Sequence, residues 1–244
     1  MNTKTKLFWI LWVSSIVSTI LILPYIITLQ SEALKKENIS PSFLILIAIL
    51  QGGVVFGVAA FFGLILAEKT GFKLPLLSSW VEHKEIEYKG LVRNSAILGF
   101  GIGMAIVLID RFVFQYAVAS SMKVPAWQGL LASFYGGICE EVLMRLFLMS
   151  LFVFILIRVS KRNEPTPAIV WSSIILISIL FGLGHLPITS SVVTITAWVV
   201  FRAILLNGIA GVALGWLYWK KGLESAIIAH YSADIIVVVI GPNL

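Results

Sequence analysis

Two carboxylates and a guanidinium stand in Cys139-Glu140-Glu141-Val142-Leu143-Met144-Arg145, inside apolar sequence that runs from Trp127 to Ile157. An ionised side chain at the centre of a bilayer costs about 3 kcal/mol or more even on lenient insertion scales, so three together mark a site or a paired structural element. On a helix, Glu141 and Arg145 are four residues apart and share a face, acid before base. Glu140 lies about 100° around the helix from Glu141. In this reading Glu141 with Arg145 holds the scaffold and Glu140 is left for chemistry. Two imidazoles stand in other apolar stretches. His185 follows Phe181 by four residues in Phe181-Gly182-Leu183-Gly184-His185 with Pro187 just after, which places it at or near a helix end with Phe181 on its face. His230 precedes Asp234 by four residues, where the carboxylate can orient the imidazole or stabilise its cation. The third histidine, His83, lies in a polar loop and reads as solvated. Each item alone has a plain structural reading, as a packing histidine or an internal ion pair. Together, one carboxylate and two imidazoles from three helices are nearly all the acid, base and ligand groups the buried sequence offers.

The elements that must position these groups are membrane spans. Of 244 residues 59% are hydrophobic and only 12% charged, with a mean hydropathy of +1.00, whereas a globular enzyme carries about 25% charged residues. Hydrophilic stretches are short, so the chain reads as one all-α domain, a polytopic transmembrane helical bundle of seven or eight spans around an internal polar cavity. Its N-terminal part, residues 1–125, supplies spans and an interfacial loop; residues 126–240 carry the motifs. The net charge of +6 raises nucleic acid as a partner. The basic residues flank the apolar runs, where anionic lipid and insertion orientation account for them, so the expected partner is the bilayer and not nucleic acid. Cys139 is the only cysteine and allows no internal disulfide.

Candidate spans are Leu7 to Leu29, Phe43 to Ala67, Val92 to about Ala119, Trp127 to Ile157, Ala168 to Leu186, Val192 to Trp219, and Leu223 to Ile240. The first follows Lys4 and Lys6 like a signal sequence but has no small-residue cleavage site, and reads as a retained span. The sixth region, 28 residues or about 42 Å as one helix, exceeds a hydrocarbon core of roughly 30 Å and is interrupted by Arg202 and Asn207-Gly208. Two shorter helices, hence eight spans, are the favoured expectation. Residues 68–90 form the longest polar segment and read as interfacial. Asp110 and Arg111 read as interfacial too. Loop Lys and Arg number ten on the side of the N-terminus and three (Lys35, Lys36 and Lys123) on the other, which places the N-terminus in the cytoplasm. The pairs Gly53 with Gly57, Gly99 with Gly103, and Gly211 with Gly215 read as close helix contacts.

The ordered series Glu140-Glu141-x-x-x-Arg145, Phe181-x-x-x-His185 and His230-x-x-x-Asp234 resembles the CPBP family, which groups type II CAAX prenyl endopeptidases with bacterial proteins linked to bacteriocin processing and self-immunity. The resemblance covers about residues 126 to 236. It implies an intramembrane endopeptidase of a prokaryotic cell membrane, acting on a membrane-associated peptide or protein such as a prenylated CAAX-type tail or a bacteriocin or signal-peptide precursor. It further implies that Glu140 and His185 activate a water, that His230 and the residue at 234 stabilise the oxyanion, and that no cofactor is needed. The family has asparagine at the last position and this chain has Asp234. A carboxylate donates no hydrogen bond unless protonated, so Asp234 can instead orient His230. The family's prenyl endopeptidases act on cytosolic substrates, whereas a cytoplasmic N-terminus puts His185 toward the outer leaflet.

Three other readings stay open. Glu140, His185 and His230 could hold a zinc ion, although the helical H-E-x-x-H signature is absent. Cys139 could serve as a thiol nucleophile, although on a helix it points about 100° away from Glu140. The chain could also be a non-enzymatic immunity factor, transporter or scaffold in which the polar cluster is a lock. Arg202, if buried, needs an acceptor and could contact a substrate carboxylate.

Overall fold

The computed structural model describes residues 1–36, 38–114 and 124–241, and among these the chain is helical with no strand. Among the described residues, seven helices are long and apolar enough to cross a membrane: Thr3–Leu29, Pro41–Thr70, Tyr88–Phe114, Ala126–Val159, Pro167–Ser190, Ala197–Lys221 and Leu223–Ile240. The far end of the expected third span, to Ala119, lies outside the described residues, as does Lys123.

The count of seven corrects the expectation of eight. The sixth span begins at Ala197, so 25 residues or about 37 Å need accommodating, which a tilted helix does. Its polar interruptions are satisfied in place. Asn207 donates its amide to the Ala203 carbonyl one turn back, at 2.9 Å. Arg202 donates Nε and Nη2 to the two carboxylate oxygens of Asp110, both at 2.6 Å. A satisfied polar group removes the reason to break the helix.

Antiparallel spans joined by short connections sort their ends onto two faces. On the face where the first span starts, Lys4 Nζ meets Glu68 at 2.5 Å, and Leu77 N–H donates to Glu224 at the head of the seventh span, at 2.7 Å. Gly222, at φ +100°, makes the turn between the sixth and seventh spans against Pro75, where any Cβ would collide. On the opposite face the Gln30 amide reaches Ser191 at 3.4 Å, and Phe114 packs on Trp198 with ring centres 5.0 Å apart.

Lipid tails are as apolar as the side chains they meet, so the spans hold together by close packing rather than by hydrophobic exclusion. A Cβ at Gly99 or Gly103 would drive into the backbone of Ala229 or Ala233 on the seventh span, and one at Gly211 would strike Ser178 on the fifth. Gly57 rests on Trp12, whose indole donates to the Gly53 carbonyl at 2.7 Å. The seventh span is the most enclosed, half of its apolar window being buried against about a fifth for the second and third. It therefore runs through the middle of the bundle, and His230 and Asp234 ride on it.

Candidate active site

Three helices converge on one cavity of about 960 Å³ lined by Glu140, Phe181, His185, His230 and Asp234, together with Tyr25, Gln51, Tyr135 and Asn207 and a largely apolar remainder. That size is at the upper end of the range for small-ligand sites, about 300–1,000 Å³. The fourth span brings Glu140 and Glu141, the fifth His185, and the seventh His230 and Asp234.

Near the site the fourth span departs from the 3.6-residue helix assumed for the sequence. Tyr135–Glu140 and Val142–Met149 are π-helical, and a further π-helical segment, Ile235–Ile240, follows Asp234 directly. π-Helical segments are rare and frequent at functional sites. The four-residue pairing survives this change: Arg145 Nη1 donates to Glu141 Oε1 at 2.8 Å, with both side chains essentially sealed from solvent.

Adjacent carboxylates have different surroundings. Glu141 is fully buried, whereas the Glu140 side chain keeps 24% of its surface open to the cavity. Glu141 Oε1 also binds His230 Nδ1 at 2.7 Å, a contact between spans four and seven. A carboxylate that accepts from Nδ1–H fixes the imidazole and turns Nε2 toward the cavity. There, Nε2 lies 3.7 Å from Glu140 and 3.7 Å from Asp234. The expected orienting of His230 by Asp234 is thus supplied by Glu141, and Asp234 shares the open side of the ring with Glu140.

His185 closes the helix Pro167–Gly184. Its Nδ1 is 2.8 Å from the Phe181 carbonyl, four residues back. A carbonyl only accepts, so Nδ1 carries the hydrogen, and in the neutral ring the lone pair is on Nε2. The buried Phe181 ring stands edge-on to His185 (centres 4.8 Å apart) and to His230 (5.8 Å), and faces the Arg145 guanidinium at 4.9 Å. It spaces the two imidazoles and covers the buried cation.

Gly136 escaped the sequence reading. A Cβ there would collide with Asp234 Oδ2 and crowd His230 Nε2 at 3.2 Å, so the glycine is what lets the fourth span approach Asp234 and His230 on the seventh. The Gly136-Gly137 pair one turn before Glu140 was the available signal. Arg202 is away from the cavity lining and taken up by Asp110, so Asp110, read as a simple interfacial residue, is the partner of a charged clasp between the third and sixth spans. Cys139 is fully buried, donates to the Ser15 carbonyl at 3.2 Å, and points to the first span rather than to the cavity. Among the described residues, no three or more His, Cys, Asp or Glu side chains are grouped to hold a metal ion.

Seven apolar spans and a carboxylate–imidazole centre in their midst define an integral, multi-pass membrane protein with a polar internal site. Residues 122–236, a little under half of the chain, match the family model of the Rce1-like type II CAAX prenyl endopeptidases, and a match to this family implies a protease acting at the membrane. The matched segment contains every motif from Glu140 to Asp234. No curated protein and no solved structure matches the chain.

Proposed function

We infer that the chain is an intramembrane endopeptidase that hydrolyses a peptide bond in a membrane-associated peptide or protein through a water activated by Glu140 and His185. The observation that supports this most is the division of labour in the acidic pair: Glu141 is sealed and spent on Arg145 and His230, while Glu140 faces the same cavity as both imidazoles. Glu140 accepts a proton from the water, and the Nε2 lone pair of His185 accepts the water's other hydrogen as a hydrogen bond, leaving oxygen to attack the scissile carbonyl. His230, as imidazolium held by Glu141, donates from Nε2 to the oxyanion. On collapse of the tetrahedral intermediate the proton on Glu140 passes to the leaving amine, which restores the carboxylate. Asp234 balances the imidazolium from the same side. The apolar walls suit the hydrophobic residues that flank a bond within or beside a membrane span.

Purified protein incubated with membrane-anchored peptides tests this reading: cleavage by the wild type and none by Glu140→Ala is expected, and equal cleavage by both defeats it. Dialysis against a strong chelator is expected to leave turnover unchanged. Turnover lost to the chelator and restored by zinc would reassign Glu140, His185 and His230 as ligands. Retained biological activity in a folded Glu140→Gln protein would place the function outside peptidase chemistry, as an immunity or scaffold protein.

A further inference from the structure

We propose that the cavity opens to the side of the membrane away from the cytoplasm, and that its substrates present their scissile bond at the outer end of a membrane-embedded segment. This rests on the peptidase reading for the word substrate, and on geometry and charge for the side.

The lining residues sort by position along their spans. They come from the second half of the first span (Thr19 to Leu29), the first half of the second (Leu44 to Phe56), the end of the fifth (Phe181 to Thr189) and the later part of the seventh (His230 to Val238). All of these lie toward the face opposite the start of the first span. Among the described residues, none of the lining comes from the ends gathered on the starting face. There the bundle is closed: Val142, Leu146 and Met149 are buried, Leu146 directly against Gly63, and the Tyr218 hydroxyl is hydrogen-bonded to Ser150 at 2.9 Å beneath Phe72. The cavity is a cup with its floor toward the starting face and its mouth toward the other.

Charge then assigns the faces. Because the sixth span is one helix, Lys220 and Lys221 fall on the starting face and join the ten basic residues already counted there, while among the described residues Arg111 joins Lys35 and Lys36 on the other. Of the other two, Arg145 is buried against Glu141, and the partly buried Arg202 is neutralised by Asp110. Twelve against three among the described residues is a strong asymmetry, and the basic face of a multispan protein stays in the cytoplasm. The mouth, bordered by Leu29, Leu44, Ile188 and Val192, therefore faces outward. An apolar rim at that level admits a segment anchored in the outer leaflet, and a tail confined to the cytosol meets the closed floor.

Labelling with a membrane-impermeant maleimide reads the side directly. The sole native thiol, Cys139, is fully buried and supplies little background. Ser190→Cys, exposed beside the mouth, and Asn163→Cys, exposed in the connection on the basic face, each introduce one accessible thiol. In intact cells Ser190→Cys is expected to label as fully as after permeabilisation and Asn163→Cys only after permeabilisation. The reverse pattern, or equal labelling of both in intact cells, overturns the proposal. In sealed right-side-out vesicles, peptides anchored by an apolar helix with the scissile tail outside are expected to be cleaved by the wild type and those with the tail inside to be spared; cleavage of only the inside tail contradicts it. The labelling needs no turnover, so an enzyme that cleaves neither peptide counts against the peptidase reading while the side remains measured.

Discussion

Glu140 and Glu141 are neighbours in sequence, yet one is reachable by water and the other has none of its surface exposed. That contrast sets opposite expectations for substitution. Glu140→Gln removes the base while keeping the shape, and turnover is expected to fall by about 10²–10⁴-fold, the usual contribution of a general base, with the yield of folded protein unchanged. Arg145→Ala removes the guanidinium from a fully buried Glu141 and leaves His230 as its remaining partner, a loss of about 3–5 kcal/mol that should appear as less folded protein in the membrane. Glu141→Gln preserves volume but weakens the hold on His230 Nδ1; kcat is expected to drop by about tenfold or more with KM little changed, as measured on the same peptide. The Glu141–Arg145 pair was legible in the sequence because helical spacing puts those residues on one face. The bond from Glu141 to His230 was not, because 89 residues separate them and no periodicity records which spans meet.

At the scale of elements, composition and run length were enough to mark all seven spans, and the one error came from treating polarity as a break. Asn207 and Arg202 read as interruptions because a sequence shows a polar group without showing its acceptor; the Ala203 carbonyl and Asp110 supply one each. The π-helical turns in the fourth and seventh spans were likewise hidden, since they follow from the fit between helices rather than from local propensity. Glycine pairs read as close helix contacts do mark such contacts, but unequally. Gly99→Val pushes a side chain into the Ala229 backbone on the span that carries His230, and a loss on the order of 1–3 kcal/mol is expected. Gly53→Ala meets open space and is expected to be near neutral. Thermal unfolding of both variants in detergent, followed alongside the wild type, compares them; equal midpoints would show that the third and seventh spans do not pack this closely.

The whole molecule is a bundle stapled on one face by Lys4–Glu68 and Glu224–Leu77 contacts and hollowed from the other. Hydropathy alone established the class of fold, and the order of the motifs pointed to the family later matched over residues 122–236. Glu140, His185 and His230, from three spans, were expected around one polar cavity and line a single void; what no linear reading could supply is that Phe181 stands between the two rings. If those groups act as one unit on one water, their losses cannot multiply. The most direct measurement is therefore the turnover of Glu140→Gln, His185→Ala and the double variant on one membrane-anchored peptide. The account predicts that the double variant is no slower than the slower single. Losses that multiply would show the two residues acting independently, and the shared-water site would be wrong.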